Sequence, residues 1–399
     1  MRQNTRQAAV PPAAWMILAV IFFSGLAAPL NQFKAPPVLQ DITQAFGVTL
    51  GAGGWLMSVF SMIGVALALP AGFIIGRLGV KRSGILALAC LLIGCFCGAL
   101  AQNIGAMLFG RILEGMGMCF MSIVAPTALA AWFPPERRGL AMGVWGTWIP
   151  FASIFAFAAA GTITSQFGWR GMWWASLVYT ALVLTLFLSL FRMPEKSALP
   201  ASPSTGFRRE WQGMRTMLKK ADPWRLAISF ACYNSLIVAL MSFMTPYLTQ
   251  ERGLTSDEAR FWVTCLIVVN MLAVLGGGLL SDALGTRKKC ILASHGILAF
   301  VMLFYFQPGH NVIAVMLLVG GVSGLVVTPS LSAAPEVARR PEDTGRALSI
   351  LAVGTNGGMV LGPAVYGMIV DSAGWGATVW FSVPVMILGF VVAWGLKTR

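Results

Sequence analysis

Apolar runs of about twenty residues recur along the whole chain, separated by short polar breaks, and this pattern limits the available folds more than any other feature. An α-helix of that length crosses the roughly 30 Å hydrocarbon core of a bilayer. Inside that core every backbone N–H and C=O must be paired within the chain, so repeated runs imply a bundle of spanning helices. Charged residues are only 11% of the 399 positions, against roughly 25% in soluble domains, and a soluble core could not hide the 57% that are hydrophobic. Twelve runs can be cut to span length. In the first half they are Ala14 to Pro37, Gly54 to Ile75, Ser83 to Ala101, Ile104 to Ala131, Arg138 to Gly161 and Arg170 to Phe191. In the second they are Trp224 to Leu248, Ala259 to Ala283, Cys290 to Phe306, Val312 to Val337, Gly345 to Val370 and Trp375 to Leu396. The longest and most polar break, 192–223, reads as a cytoplasmic linker between bundles at 1–191 and 224–399, with an interfacial helix expected at Trp211 to Lys219.

A net charge of +14 would suggest nucleic acid as the partner of a soluble protein, so the placement of the basic residues matters. Of 28 Lys and Arg, 23 fall at the two ends and in alternate breaks; the exceptions are Lys34, Arg111, Arg170, Arg252 and Arg260. The positive-inside rule makes those breaks cytoplasmic. Both termini are then expected inside, the number of spans is even, and the partner is the lipid bilayer of a cell membrane, expected to be a bacterial inner membrane, with no nucleic acid. Residues 1–13 run into an apolar stretch without a small-residue cleavage pattern, so the first span is expected to be retained. The seven cysteines lie in or beside apolar runs, without the spacing of a zinc site or a secreted disulfide framework.

The halves are related by a constant shift of 206 residues. Gly47 and Thr49 map onto Gly253 and Thr255, Pro135 and Glu136 onto Pro341 and Glu342, and Gly168, Trp169 and Trp174 onto Gly374, Trp375 and Trp380. Six spans per half make this a parallel repeat, the layout of carriers that rock about a site near the midplane. Between the second and third runs the chain reads Gly72-Phe-Ile-Ile-Gly76-Arg77-Leu78-Gly79-Val80-Lys81-Arg82, and its repeat reads Gly278-Leu-Leu-Ser-Asp282-Ala283-Leu284-Gly285-Thr286-Arg287-Lys288. These segments, with Arg111-Ile-Leu-Glu-Gly115-Met-Gly117 and Phe133-Pro-Pro-Glu136-Arg-Arg-Gly139, resemble the signatures of the major facilitator superfamily. The resemblance implies twelve helices in two six-helix bundles and transport by alternating access. It also implies a cytoplasmic latch at Gly72, Arg77, Asp282 and Arg287. The first copy departs from the pattern by carrying Gly76 where the family has an acid, which leaves Asp282 as the acidic latch group. The stretch Pro29 to Pro37 resembles the branch that includes cyanate and related anion carriers.

An ionisable side chain at the centre of a spanning helix costs about 2.5 to 3.5 kcal/mol on insertion scales, which makes each one a functional candidate. Asn31 and Lys34 share one face of the first run; the alternative for Lys34 is snorkelling to the outer interface. Arg111 and Glu114 share a face of the fourth, with a purely structural ion pair as their alternative. Trp145, Trp148 and Tyr233 are candidates for an apolar wall of the cavity, and Asn234 and Asn356 for hydrogen bonds to a solute, against plain packing and helix bridging. The two histidines, His295 and His310, make neither a metal site nor a catalytic pair, and no nucleophile or phosphate-loop motif is present. No metal, no cofactor and no enzyme activity are expected. With two cations against one clear acid in the interior, the expected cargo is a small organic or inorganic anion bound by Asn31, Lys34, Arg111, Trp145, Trp148, Tyr233, Asn234 and Asn356. Glu114 is the expected proton-coupling group, with exchange for a counter-solute left open and a monomer expected. The alternative is an exporter of drugs or other lipophilic solutes.

Overall fold

The computed structural model describes residues 11–67, 70–133, 135–194, 207–283, 286–306, 311–338, 340 and 343–397, and every regular element among them is helical. The first half comprises α1 (Pro12–Phe33), α2 (Leu39–Phe46), α3 (Leu50–Leu67), α4 (Pro70–Leu78), α5 (Val80–Ala99), α6 (Ile104–Trp132), α7 (Pro135–Gly146), α8 (Trp148–Phe167) and α9 (Arg170–Leu190). Then come α10 (Phe207–Leu218), α11 (Ala221–Gln250), α12 (Ser256–Ala283), α13 (Arg287–Met302), α14 (Val312–Ala338), α15 (Thr344–Ala373) and α16 (Val379–Trp394). Among the described residues eleven helical stretches are long and apolar enough to cross a membrane. The remaining run of the twelve is α13, 16 residues long, followed by a turn through Leu303–Phe306. The second and fifth runs are each built from two helices, α3 with α4 and α7 with α8. The interfacial segment is helix α10, which packs on α15 and α11.

The repeat visible in the sequence is also a repeat of backbone conformation. Gly47 and Gly253 adopt φ of +64° and +66°, and Gly168 and Gly374 adopt +62° and +77°. These are left-handed conformations that a Cβ disfavours, which is why glycine recurs at matching turns.

Helix α1 stops inside the span that carries it, and Pro36 and Pro37 explain the break. Proline lacks the N–H that a helix needs, so the carbonyls of Gln32 and Phe33 lose their partners four residues on. A three-residue 3₁₀ turn, Pro36–Val38, follows, and α2 restarts the chain.

Small residues set how closely the helices approach. On α15, a side chain at Gly354, Gly358 or Gly362 would run into the carbonyls of Ala227, Ala231 and Ser235 on α11, so these glycines form a backbone contact at i, i+4 spacing. Gly367 instead lies on Gly51 of α3, in the other half.

With α13 counted as the twelfth crossing, α1 begins and α16 ends on the same face of the bundle, called here the near face. Contacts between the halves run from the opposite, far face to mid-span. Gly51 meets Gly367 and Asp371, Gly54 meets Pro363, and Gly64 meets Asn356. Gly161 of α8 meets Asp257 of α12. At the near face, α4 packs on α5 and α6, and α7 on α6, α8 and α1, all of the first half. Among the described residues neither forms an extended pairing with the second half. The contacts that join the halves among the described residues therefore lie from the far face to mid-span.

Candidate functional site

The break in α1 creates the chemistry of the site. Gln32 O has no helical donor because Pro36 follows it, and Asn31 O is likewise open at the helix end. Arg111 of α6 fills both places, donating from Nη1 to Asn31 O and from Nη2 to Gln32 O at 3.0 Å. A guanidinium there also meets the negative end of the α1 dipole. Its Nε donates to Leu56 O at 2.9 Å, its second Nη1 hydrogen goes to Glu114 Oε2 at 2.7 Å, and Nη2 also reaches Met57 Sδ at 3.7 Å. All five N–H groups are thus engaged, and the guanidinium lies over the Phe60 ring at 4.5 Å.

Glu114 is shared. Its Oε1 accepts from Lys34 Nζ at 2.7 Å, and Lys34 also donates to Asn31 Oδ1 at 2.6 Å. The Cys95 thiol donates to that same amide oxygen at 2.8 Å, and the ammonium stands 4.7 Å from the centre of the Trp173 ring. Asn31, Lys34, Arg111 and Glu114 are all at most 1% exposed. The ammonium of Lys34 points into the bundle and does not snorkel to the interface. The cluster holds two cations and one carboxylate in a low-dielectric interior, where a charge without a partner is costly.

The cluster belongs to the first half alone. The shift of 206 carries Asn31, Lys34, Arg111 and Glu114 onto Ile237, Leu240, Leu317 and Gly320, so the second half has no copy. Its link to the second half is Gln32, whose amide nitrogen meets Met359 Sδ of α15 at 3.6 Å while its Oε1, also buried, has no hydrogen-bond partner.

The other candidates lie apart from the cluster. Trp145 and Trp148 stack on one another, ring centroids 4.1 Å apart, and Trp145 covers Gly25 of α1 so closely that a Cβ there would overlap the ring. Tyr233 stacks on Phe230, and Asn234 returns its amide N–H to Phe230 O on its own helix. Asn356 does the same to Ala352 O and presents its side chain to Gly64 across the halves. His295 is buried between the carbonyls of Ile291 and Ser229, while His310 lies outside the described residues. Of the latch residues, Arg77 is exposed at the end of α4, and Arg287 bonds Glu336 and Ser332 O of α14. Gly72 falls within α4, and the side chain of Asp282 lies outside the described residues.

Sequence reasoning passed over four participants: Gln32, Cys95, Trp173 and, at the far face, Arg260. Arg260 carried a usable signal, an arginine near the start of a span with Asp257 one turn before it. Cys95 and Trp173 carried none, because their role depends on which helices meet.

The family model of the Major Facilitator Superfamily matches residues 21–258 and 234–399. The Bacillus subtilis hexuronate transporter is 25% identical over 387 residues, covering 90% of this chain and 89% of that one. The 3-(3-hydroxy-phenyl)propionate transporter of Escherichia coli is 24% identical over 317 residues, 78% of this chain and 75% of the relative. Other matches are partial. The lincomycin resistance protein of Bacillus subtilis is 21% identical over 198 residues, half of this chain and 41% of the relative. For an uncharacterised transporter of the same organism, at 27% identity, the match spans 34% of its length. Among solved structures, a bacterial homologue of the human lysosomal transporter Spinster superposes with a TM-score of 0.78 at 16% identity over 96% of each chain, which shows the fold. By its sequence match and its fold, this chain is a member of the major facilitator superfamily of membrane transporters.

Proposed function

We propose that the chain is a secondary transporter of a small organic anion, working as a monomer in a bacterial inner membrane with both termini in the cytoplasm and carrying no catalytic centre or cofactor. The bundles 1–191 and 224–399 are the bodies that rock, joined by the linker 192–223. The observation that carries the reading is the buried cluster with its excess of one positive charge. A proton on Glu114 would cancel the one carboxylate and leave Lys34 and Arg111 to hold an anion, so that proton and anion enter together without changing the net charge of the site. Arg111 already has four acceptors besides Glu114, so Lys34 is the cation most readily transferred to cargo. Relatives named for hexuronate and 3-(3-hydroxy-phenyl)propionate, both carboxylates, support this class, and a small inorganic anion such as cyanate fits the same charge.

The test is uptake by proteoliposomes of glucuronate and 3-(3-hydroxyphenyl)propionate, with tetraphenylphosphonium as the lipophilic cation, with and without an imposed proton gradient. Carboxylate uptake enhanced by the gradient is expected, and its loss in Lys34→Met places Lys34 in the path. The relative named for lincomycin resistance favours a second reading, export of lipophilic solutes. Transport of the cation with no carboxylate uptake would establish that reading instead.

A further inference from the structure

Two arginines read the broken stretch of the first span from opposite halves. Arg111 holds Asn31 O and Gln32 O from the first half, and Arg260 of α12 holds Pro37 O from the second, Nε to O at 3.0 Å. Arg260 is 7% exposed. Its Nη1 donates to Asp257 Oδ1 at 3.0 Å and its Nη2 reaches Asp41 Oδ2, in the first half, at 3.4 Å.

The two arginines differ in what they have left to give. Every N–H of Arg111 has an acceptor, whereas Arg260 keeps one N–H on Nη1 and one on Nη2 without an acceptor among the described residues. Arg260 also borders a far-face cavity of about 480 Å³ between the halves, lined in addition by Asp41, Thr164, Ser165, Thr255 and Asp257.

We propose that this cavity is an entry site for a small carboxylate, which takes Arg260 from Asp41 and thereby loosens the far-face seal. The proposal rests on the carboxylate reading above. A guanidinium with open donors on both terminal nitrogens suits bidentate binding of a carboxylate. The bond to be displaced is the longest Arg260 makes, and the Asp41 side chain is 41% exposed, so water screens it. Asp257 keeps its bond to Nη1 at 3.0 Å, and with its side chain 77% exposed it can turn to water as the carboxylate arrives. Glu258 does not compete, because its Oε2 accepts from both the N–H and the hydroxyl of Thr255 at 2.8 Å. The hydroxyls of Thr164, Ser165 and Thr255 add polar wall for a hydroxylated cargo. Once Asp41 is displaced, Arg260 to Pro37 O, Thr249 to Gln40 Oε1 and Gly51 N to Asp371 Oδ2 still join the halves at this face.

The experiment uses the full chain in nanodiscs with spin labels at Gln44 and Glu251, exposed residues on opposite halves of the far face. Glucuronate is the probe, and glucitol is its uncharged control. Glucuronate, and not glucitol, is expected to lengthen the inter-label distance. Asp41→Asn should raise the long-distance population without ligand, and Arg260→Lys should require several-fold more glucuronate for the same shift. Uptake by the parent together with an unchanged KM for glucuronate in Arg260→Lys overturns the entry site and leaves the carboxylate reading standing. A closed distance unaltered by Asp41→Asn also overturns the proposal. A parent that takes up no carboxylate overturns both readings.

Discussion

Glu114 is the residue on which the buried cluster depends, because it is the single carboxylate between two cations. Glu114→Gln leaves Lys34 and Arg111 facing one another without a counter-charge, and removing one partner of a buried ion pair costs about 3 to 5 kcal/mol. Lys34→Met should cost much less. Arg111 still neutralises Glu114, and Cys95 still donates to Asn31 Oδ1, so only Glu114 Oε1 loses its donor. Thermal unfolding of the two variants in the same detergent is expected to rank Glu114→Gln well below Lys34→Met. Equal losses would mean that the charges are not coupled as the distances imply. Arg111→Lys belongs to the same scale. An ammonium has three donors where the guanidinium has five and cannot reach the carbonyls of Asn31 and Gln32 together with Glu114 in the same fork, and each of those carbonyls left unpaired costs roughly 1 to 3 kcal/mol.

At the scale of the element, the interruption of the first span ties sequence to site. Pro36 removes the N–H that would have closed on Gln32 O, and Arg111 takes that oxygen in its place. The double variant Pro36→Ala, Pro37→Ala restores those N–H groups and lets a continuous helix compete with Arg111 for the same carbonyl. It is expected to slow transport more than it lowers the unfolding temperature, since helix hydrogen bonds replace the bonds Arg111 loses. Comparing initial uptake rates, normalised to folded protein, with the unfolding temperature checks this. A transport rate equal to the parent's would show that the break has no part in the cycle. Gly354, Gly358 and Gly362 recur at every fourth position of the sequence, the spacing of one helix face. That one stretch serves two partners, α11 through Gly354, Gly358 and Gly362 and α3 through Gly367, depends on the rotation of α15 against both helices.

At the scale of the molecule, the described contacts between the halves lie at the far face and mid-span, and the distribution of basic residues predicts that the near face is cytoplasmic. Reporter fusions at the carboxyl end and within 195–206 are expected to report a cytoplasmic location, and an external signal from either would reverse the assignment. The helical class, the run-by-run placement of the spans, the duplication and the presence of rare charges inside the membrane were determined by the sequence alone. Each follows from local composition and spacing, because a bilayer rewards twenty apolar residues wherever they occur and penalises a charge by its position along one helix. Partnership was decided only by the tertiary structure. Nothing local to Lys34 says that it shares Glu114 with Arg111, and nothing local to Arg111 says that its donors are spent on the end of helix α1. Arg111 and Arg260 look alike in the sequence, each in an apolar run with an acid three residues away. One proves saturated and the other retains open donors beside a cavity, because hydrogen-bond capacity depends on what the neighbouring helices bring within about 3 Å, and only the packed bundle fixes that.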